Sequence, residues 1–412
     1  MPKIMLSHPS RVLCAYQAAL AFQEHDLLKS FETGFYFKDG PVSRGLLSLL
    51  PSGLAHHVQR ELRRRVQPGL KPELIRRQMW RDLIFTLSAR WFGTSAFAER
   101  LMLWRNQGFD STVAKRALAQ RPDAVYAYDT TALHTFRACG GAAIFKILDQ
   151  VIGHYKIGVE TMLRERELHP EFADTIEVRR SEKGERLTVE EVRLADAVIA
   201  PSDYVKQTLL DVGCAPGKIH VVPYGVDIDR FVPAKTQQPH PFRILFAGQI
   251  SQRKGIKYLL EAFKNLRLPN AELILLGSVV GSGDGLRRYE GLFKHLPSVP
   301  YSQLHDYYQQ ADVFVMPSMH EGSALVIYEA MASGLPIITT ANSGSVVRDG
   351  QDGFIIPIRD IAQLEDRLLR LYKDADLRRT LGQNARRRVE AFTWTAYRAK
   401  LAGTVGGILA KR

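Results

Sequence analysis

The chain has 412 residues, 45% of them hydrophobic, and a formal net charge of +13. That length exceeds what one hydrophobic core ordinarily serves, so two globular domains are expected, and the apolar content excludes a disordered or low-complexity chain. Cys14, Cys139 and Cys214 are too scattered for a disulfide framework or a zinc spacing, so reduced thiols are expected.

The N-terminal MPKIMLSHPS reads as a strand that starts almost at residue 1, with Ser7-His8-Pro9-Ser10 at its exit. It lacks the apolar core of a signal peptide, and no run is long enough to span a bilayer, so a cytoplasmic protein is expected. Positive charge gathers in residues 56–85, where Arg60, Arg63, Arg64, Arg65, Lys71, Arg76, Arg77 and Arg81 face Glu61, Glu73 and Asp82. With Leu62, Met79, Trp80, Leu83 and Ile84 as apolar contacts, this segment suits an anionic membrane surface or a lipid-linked acceptor, which implies peripheral attachment to the inner face of the membrane. A plain solvated helix face is the alternative. No recognition motif accompanies the arginines, so nucleic acid is not expected.

Val125–Tyr128 reads as a strand followed by Asp129 and His134; Ala143–Leu148 reads as another, followed by Asp149, Gln150 and His154. Val198–Ala200 and Ile219–Val222 are further strands, Pro223–Asp227 is an exit turn, and Val232–Pro241, with three prolines, is the linker. Strands alternating with helical patterns predict doubly wound α/β lobes with parallel sheets. After the linker, PFRILFAGQISQRKGIKYLLEAF reads as strand, glycine turn, basic loop and amphipathic helix. Such a unit presents a phosphate at the strand's C-terminal edge, which singles out Gly248, Gln249, Arg253 and Lys254. Leu273–Gly277 is a strand whose following glycines, at 281–285, lie too far on for a dinucleotide fingerprint; together with the missing glycine fingerprint after the first strand, this excludes an oxidoreductase reading. Ser298–Tyr301 is a candidate for backbone contacts to a nucleobase.

Residues 312–340 carry the most chemistry. Asp312–Pro317 and Ile337–Thr340 read as buried strands flanking a helix over Ala324–Ser333, with Ser323 as N-cap and Gly334 and Pro336 as stop signals. Glu321 then sits in the loop and Glu329 on the second helical turn, about 10 Å apart, which is comparable to the span from a ribose across a diphosphate to a sugar ring. The amides of Ser323, Ala324 and Leu325, backed by the helix dipole, form an anion site, and the two carboxylates can accept hydrogen bonds from vicinal hydroxyls. The plain alternative makes Glu321 a cap and Glu329 half of a surface ion pair.

The run from His320-Glu321-Gly322 through Ala332-Ser333-Gly334-Leu335-Pro336 closely resembles the C-terminal domain of family 4 glycosyltransferases, retaining enzymes of the GT-B type, whose E-x7-E element is matched by Glu321 and Glu329. The resemblance is good over residues 190–412 and only in outline over 1–189. It implies two Rossmann-like domains facing across a cleft: an acceptor domain over 1–232, a nucleotide-sugar domain over 233–394, and a terminal helix over 395–412 that packs back on the first. It further implies retaining transfer from a nucleotide-diphosphate sugar to a glycan, lipid-linked or other hydroxyl acceptor, in cell-envelope or exopolysaccharide synthesis. Glu321, with Gly322 beside it, would meet the donor sugar, Glu329 the ribose and Lys254 the diphosphate, while Asp149, and next His154, would lie near the reacting carbon. The family places an arginine where this chain has Gln249, and Arg253 is the candidate to supply the missing charge. That departure keeps open a nucleotide-sugar-binding protein with little turnover, and a GT-B epimerase is a third reading. No Asp-x-Asp motif lies in a suitable loop, so neither a metal nor a cofactor beyond the donor itself is expected.

Overall fold

The computed structural model describes residues 1–10, 12–36, 68–92, 96–176, 181–234 and 240–411. Among the described residues, short apolar runs give thirteen strands in two parallel sheets. The first contains β1 (Ile4–His8), β2 (Leu28–Thr33), β3 (Ile75–Arg77), β4 (Ala124–Tyr128), β5 (Phe145–Asp149), β6 (Ala197–Ala200) and β7 (Ile219–Val221), in the order β3-β2-β1-β4-β5-β6-β7. The second contains β8 (Phe242–Ala247), β9 (Ala271–Leu276), β10 (Phe293–Leu296), β11 (Val313–Met316), β12 (Ile337–Thr340) and β13 (Gly353–Ile356), in the order β10-β9-β8-β11-β12-β13. In each sheet the order runs outward from the first strand in both directions. Right-handed crossovers then place helices on both faces, which is why strands such as AVYAY and VFVM are buried throughout rather than alternating.

Contacts divide the chain into two compact units. One comprises Met1–Asp149, Arg186–Ile199 and Arg398–Arg412; the other comprises Gln150–Glu185 and Ala200–Tyr397. Residues 150–185 and 200–232 thus group with the second unit, although the sequence division placed them in the first domain. One cause is local: leaving β5, the chain donates the Gly153 amide to the Glu321 carbonyl at 3.0 Å.

The first unit buries Ile4, Leu6, Phe22, Phe31, Tyr126, Ile147 and Leu148 in its core. Its buried Glu191 accepts the amides of Thr130, Ala132 and Leu133, and burial holds that carboxyl far above its usual range. Arg398 ties the terminal helix to this unit through Glu24 at 2.8 Å and Gln17 at 2.9 Å. The second unit is built on Phe246, Leu259, Leu275, Phe314, Ile327, Tyr328, Ile338 and Leu368. Cys14, Cys139 and Cys214 are all buried, and no helix among the described residues is long and apolar enough to cross a membrane.

Candidate active site

Two sequence-distant segments meet around Glu321. After β8, Gly248 adopts φ +139°, a backbone region that favours glycine, and Gln249 turns outward to solvent. The chain then makes a single 3-10 turn, Gln252–Lys254, closed by Gly255 at φ +72°. That turn is pinned from below: the Gln252 amide donates to Thr175 at 2.9 Å and its side-chain nitrogen to Glu165 at 2.6 Å. Glu165 is itself fully buried and also accepts from Tyr258 at 2.8 Å and Arg359 at 2.6 Å. A fixed turn aims the next two side chains, and both reach one carboxylate. Lys254 Nζ lies 2.5 Å from Glu321 Oε1, and Arg253 pairs with the same oxygen while donating to the His320 carbonyl at 3.2 Å.

Burial acts against the charge on both partners. It pulls the Lys254 ammonium below its ordinary value, an effect the Glu321 charge opposes. Burial pushes Glu321 up, but Lys254 and Arg253 together overcome it and hold the carboxyl below its usual range, so Glu321 is ionised at neutral pH. The Glu321 loop is close-packed. A Cβ on Gly322 would collide with the Val151 carbonyl, and the Gly322 carbonyl accepts from Ser202 Oγ at 2.5 Å.

The helix that follows spans Leu325–Ala332, one residue shorter at each end than the sequence predicts. Its N-cap is Ala324, and no side chain caps it. The predicted cap at Ser323 is therefore corrected: its hydroxyl is 2.9 Å from that of Tyr328, five residues on, which outcompetes the first-turn amides. The Ala324 amide is likewise occupied, bonding to Ser343 O at 3.1 Å, so the predicted three-amide anion site narrows to the flanking Ser323 and Leu325 positions.

Glu329 points to the other flank and is buried, not a surface ion pair. It accepts from Tyr308 at 2.9 Å and from the Tyr301 phenol. Burial raises it to about 7, against those two bonds and the Arg230 charge. Arg230 stacks on the Tyr301 ring at 4.9 Å, and Tyr301 is 46% exposed. Tyr308 and Arg230 escaped the sequence reading; Tyr308, seven residues beyond Tyr301, was the available signal.

Two predicted residues are placed differently. Asp149 ends β5 in the first unit, fully buried, accepting from Tyr126 at 2.6 Å, and burial raises it to about 7. His154 is in the second unit and fully buried; its Nδ1 caps the helix Tyr155–Leu168 through the Lys156 amide at 3.3 Å, and its own amide donates to Thr208 at 2.9 Å. Of the basic segment, residues 56–67 lie outside the described residues. Arg76 and Arg77 are exposed, and Met79, Trp80, Leu83 and Ile84 are solvent-facing on the helix Met79–Phe92.

Two Rossmann-like sheets, the second bearing cations and a helix start beside two spaced glutamates, define the GT-B class of nucleotide-sugar proteins. Residues 52–230 match the family model described as Glycosyltransferase Family 4, and residues 227–388 match Glycosyl transferases group 1. The chain belongs to the group 1 glycosyltransferases of GT-B fold. It is 30% identical over 57% of its length to a D-inositol 3-phosphate glycosyltransferase of Paenarthrobacter aurescens and matches 62% of that relative, less than two thirds of it. Among solved structures it is similar to sucrose-phosphate synthase from Thermosynechococcus elongatus, with TM-score 0.71 at 17% identity over 100% of both chains. It is also similar to Anabaena HepE in complex with UDP and glucose, with TM-score 0.62 at 16% identity over 99% of this chain and 100% of that one. At these identities the structural likeness speaks for the fold.

Proposed function

We propose that the protein is a retaining glycosyltransferase that moves a sugar from a nucleotide-diphosphate donor to a hydroxyl of a glycan, lipid-linked or similar acceptor, without a metal ion. The observation that carries this reading is the convergence of Arg253 and Lys254 on Glu321 at the start of the helix that presents Glu329. As the bond between the anomeric carbon and the diphosphate breaks, negative charge grows on the phosphates. Two cations fixed by the Gln252 turn and the positive end of the 325–332 helix stabilise that charge, the role a metal ion plays elsewhere. Glu321 accepts hydrogen bonds from the donor sugar's hydroxyls and Glu329 from the ribose, with Tyr301 bordering the base. Retention follows if the acceptor attacks the face the diphosphate leaves. Asp149, at the end of β5, is the residue proposed to lie near the reacting carbon, with His154 next.

Because HepE structures hold UDP and UDP-glucose, uridine donors head the test. A thermal-shift panel of nucleoside diphosphates and their sugars should show a stabilisation of about 2.7 kcal/mol at a hundred times the dissociation constant for the true ligand. That stabilisation should disappear in Glu329→Ala, and turnover should survive EDTA. A panel without any stabiliser overturns the reading. The exposed Gln249 favours one alternative, a nucleotide-sugar-binding protein of low turnover; binding without transfer to any acceptor would select it. A place in cell-envelope or exopolysaccharide synthesis, at the cytoplasmic membrane face, is part of the same proposal, supported by the exposed apolar and basic residues of 76–84.

A further inference from the structure

His320 precedes Glu321 and is almost fully buried, and no contact with a donor is needed to explain it. Its ring is used on every side. Nε2 lies 3.0 Å from the Gly153 carbonyl, which can only accept, so Nε2 carries the hydrogen. Nδ1 is then a lone pair, and it accepts the Tyr204 hydroxyl at 2.7 Å. The ring also fits against bare backbone: a Cβ on Gly153 would come within 2.5 Å of it, and one on Gly158 within 2.6 Å. From the same short loop, the Gly153 amide returns to the Glu321 carbonyl at 3.0 Å. Gly153 therefore grips both residues at once, the ring of one and the backbone of the next.

We propose that His320 is a positioning residue for Glu321, locked in a single tautomer by Tyr204 and Gly153, and that this lock aims the carboxylate at the donor sugar. The inference rests on the reading of Glu321 as the donor-sugar ligand. A carboxylate that must accept hydroxyls within a few tenths of an ångström needs a backbone that cannot rock, and the Arg253 and Lys254 side chains alone would let it follow their motion. Burial holds the His320 ring neutral, at about 4, with Glu321 opposing and Arg253 and His154 reinforcing. A positive charge there would repel Arg253 and break the acceptance from Tyr204.

The test measures UDP release from UDP-glucose, UDP affinity and melting temperature for Tyr204→Phe, His320→Ala, His320→Gln and Glu321→Gln. Glutamine can still donate to Gly153 from the place of Nε2. His320→Ala should lower kcat on the order of 100-fold with UDP affinity little changed, and His320→Gln should recover most of it. Tyr204→Phe should move the acid limb of the kcat profile upward, because the neutral ring loses the bond that favours it. Variants that lose melting temperature but keep kcat and the acid limb overturn the proposal. If Glu321→Gln turns over normally, the donor-sugar reading itself is wrong; if it is inactive while the His320 and Tyr204 variants are normal, only the positioning role fails. Should His320→Ala not fold, the acid limb of Tyr204→Phe decides.

Discussion

Lys254 Nζ and the guanidinium of the adjacent Arg253 share a single oxygen, Oε1 of Glu321. Neighbouring residues on an extended chain point apart; here the 3-10 turn rotates both toward one acid. Under the proposed function, a diphosphate would share these cations with Glu321, whose carboxyl the same cations hold below its usual range.

Under the proposed function, Arg253 supplies the charge that the family's arginine would give at the place of Gln249. Gln249→Arg alone should change kcat little, while Arg253→Ala should lower it on the order of 100-fold, as loss of one charge-stabilising donor does. In the double variant, Gln249→Arg should restore part of the loss. Steady-state kinetics with UDP-glucose checks this; a large gain from Gln249→Arg alone contradicts it.

Nucleotide affinity should depend on pH through Glu329. Raised to about 7, the carboxyl is partly protonated at neutrality, and in its proposed role it accepts ribose hydroxyls most strongly when ionised. UDP binding should strengthen several-fold from pH 6 to pH 8 and release a proton at the lower pH. Calorimetry in buffers of different ionisation enthalpy measures that proton, and Glu329→Gln should abolish both effects.

Stability should fall as pH rises toward neutrality through Asp149 as well as Glu329. Both carboxyls are raised by burial to about 7, so in the folded state each holds a proton that the unfolded chain has released. Their contribution is fully present below the ordinary carboxylate range and lost as pH rises through about 7, with a limiting slope of about 1.4 kcal/mol per pH unit per group. Asp149→Asn keeps the shape and a partner for Tyr126. Its denaturant midpoint should vary less than wild type between pH 5 and pH 7.5; an unchanged slope would show that Asp149 titrates normally.

Two glycine replacements should part in sign. Gly322→Ala drives a methyl into the Val151 carbonyl and should lower the melting temperature and activity together. Gly403→Ala meets nothing within 4 Å inside the helix Trp394–Ala410, and should stabilise by about 0.5–1 kcal/mol. Thermal denaturation reads both.

Arg81 lies 4.7 Å from the Trp80 ring and 4.9 Å from that of Trp104, and Trp80, Leu83 and Ile84 are exposed beside it. If this surface meets anionic lipid, Trp80→Ser with Leu83→Ser should weaken sedimentation with phosphatidylserine vesicles, and salt should weaken it further. Binding insensitive to both would rule out this patch.

The strands beside the site were legible because their signals are local. β12 begins and ends where the sequence predicts, and β11 differs from prediction by one residue at each end. Gly248 and the Arg253-Lys254 pair were legible too, since a glycine turn and a basic loop after a strand are read from adjacent residues. Ser323 was misread for the opposite reason: a hydroxyl five residues on took the bond that capping rules reserve for an amide.

By itself the sequence determined the two parallel α/β lobes and the spacing of Glu321 and Glu329, because periodicity and helix rise act within a dozen residues. Only the tertiary structure decided the state of those glutamates. Glu321 is ionised because residues nearly seventy positions earlier bring two cations to it, and Glu329 is raised because Tyr308 and burial surround it. Charge and desolvation depend on distance in space, which chain order does not encode.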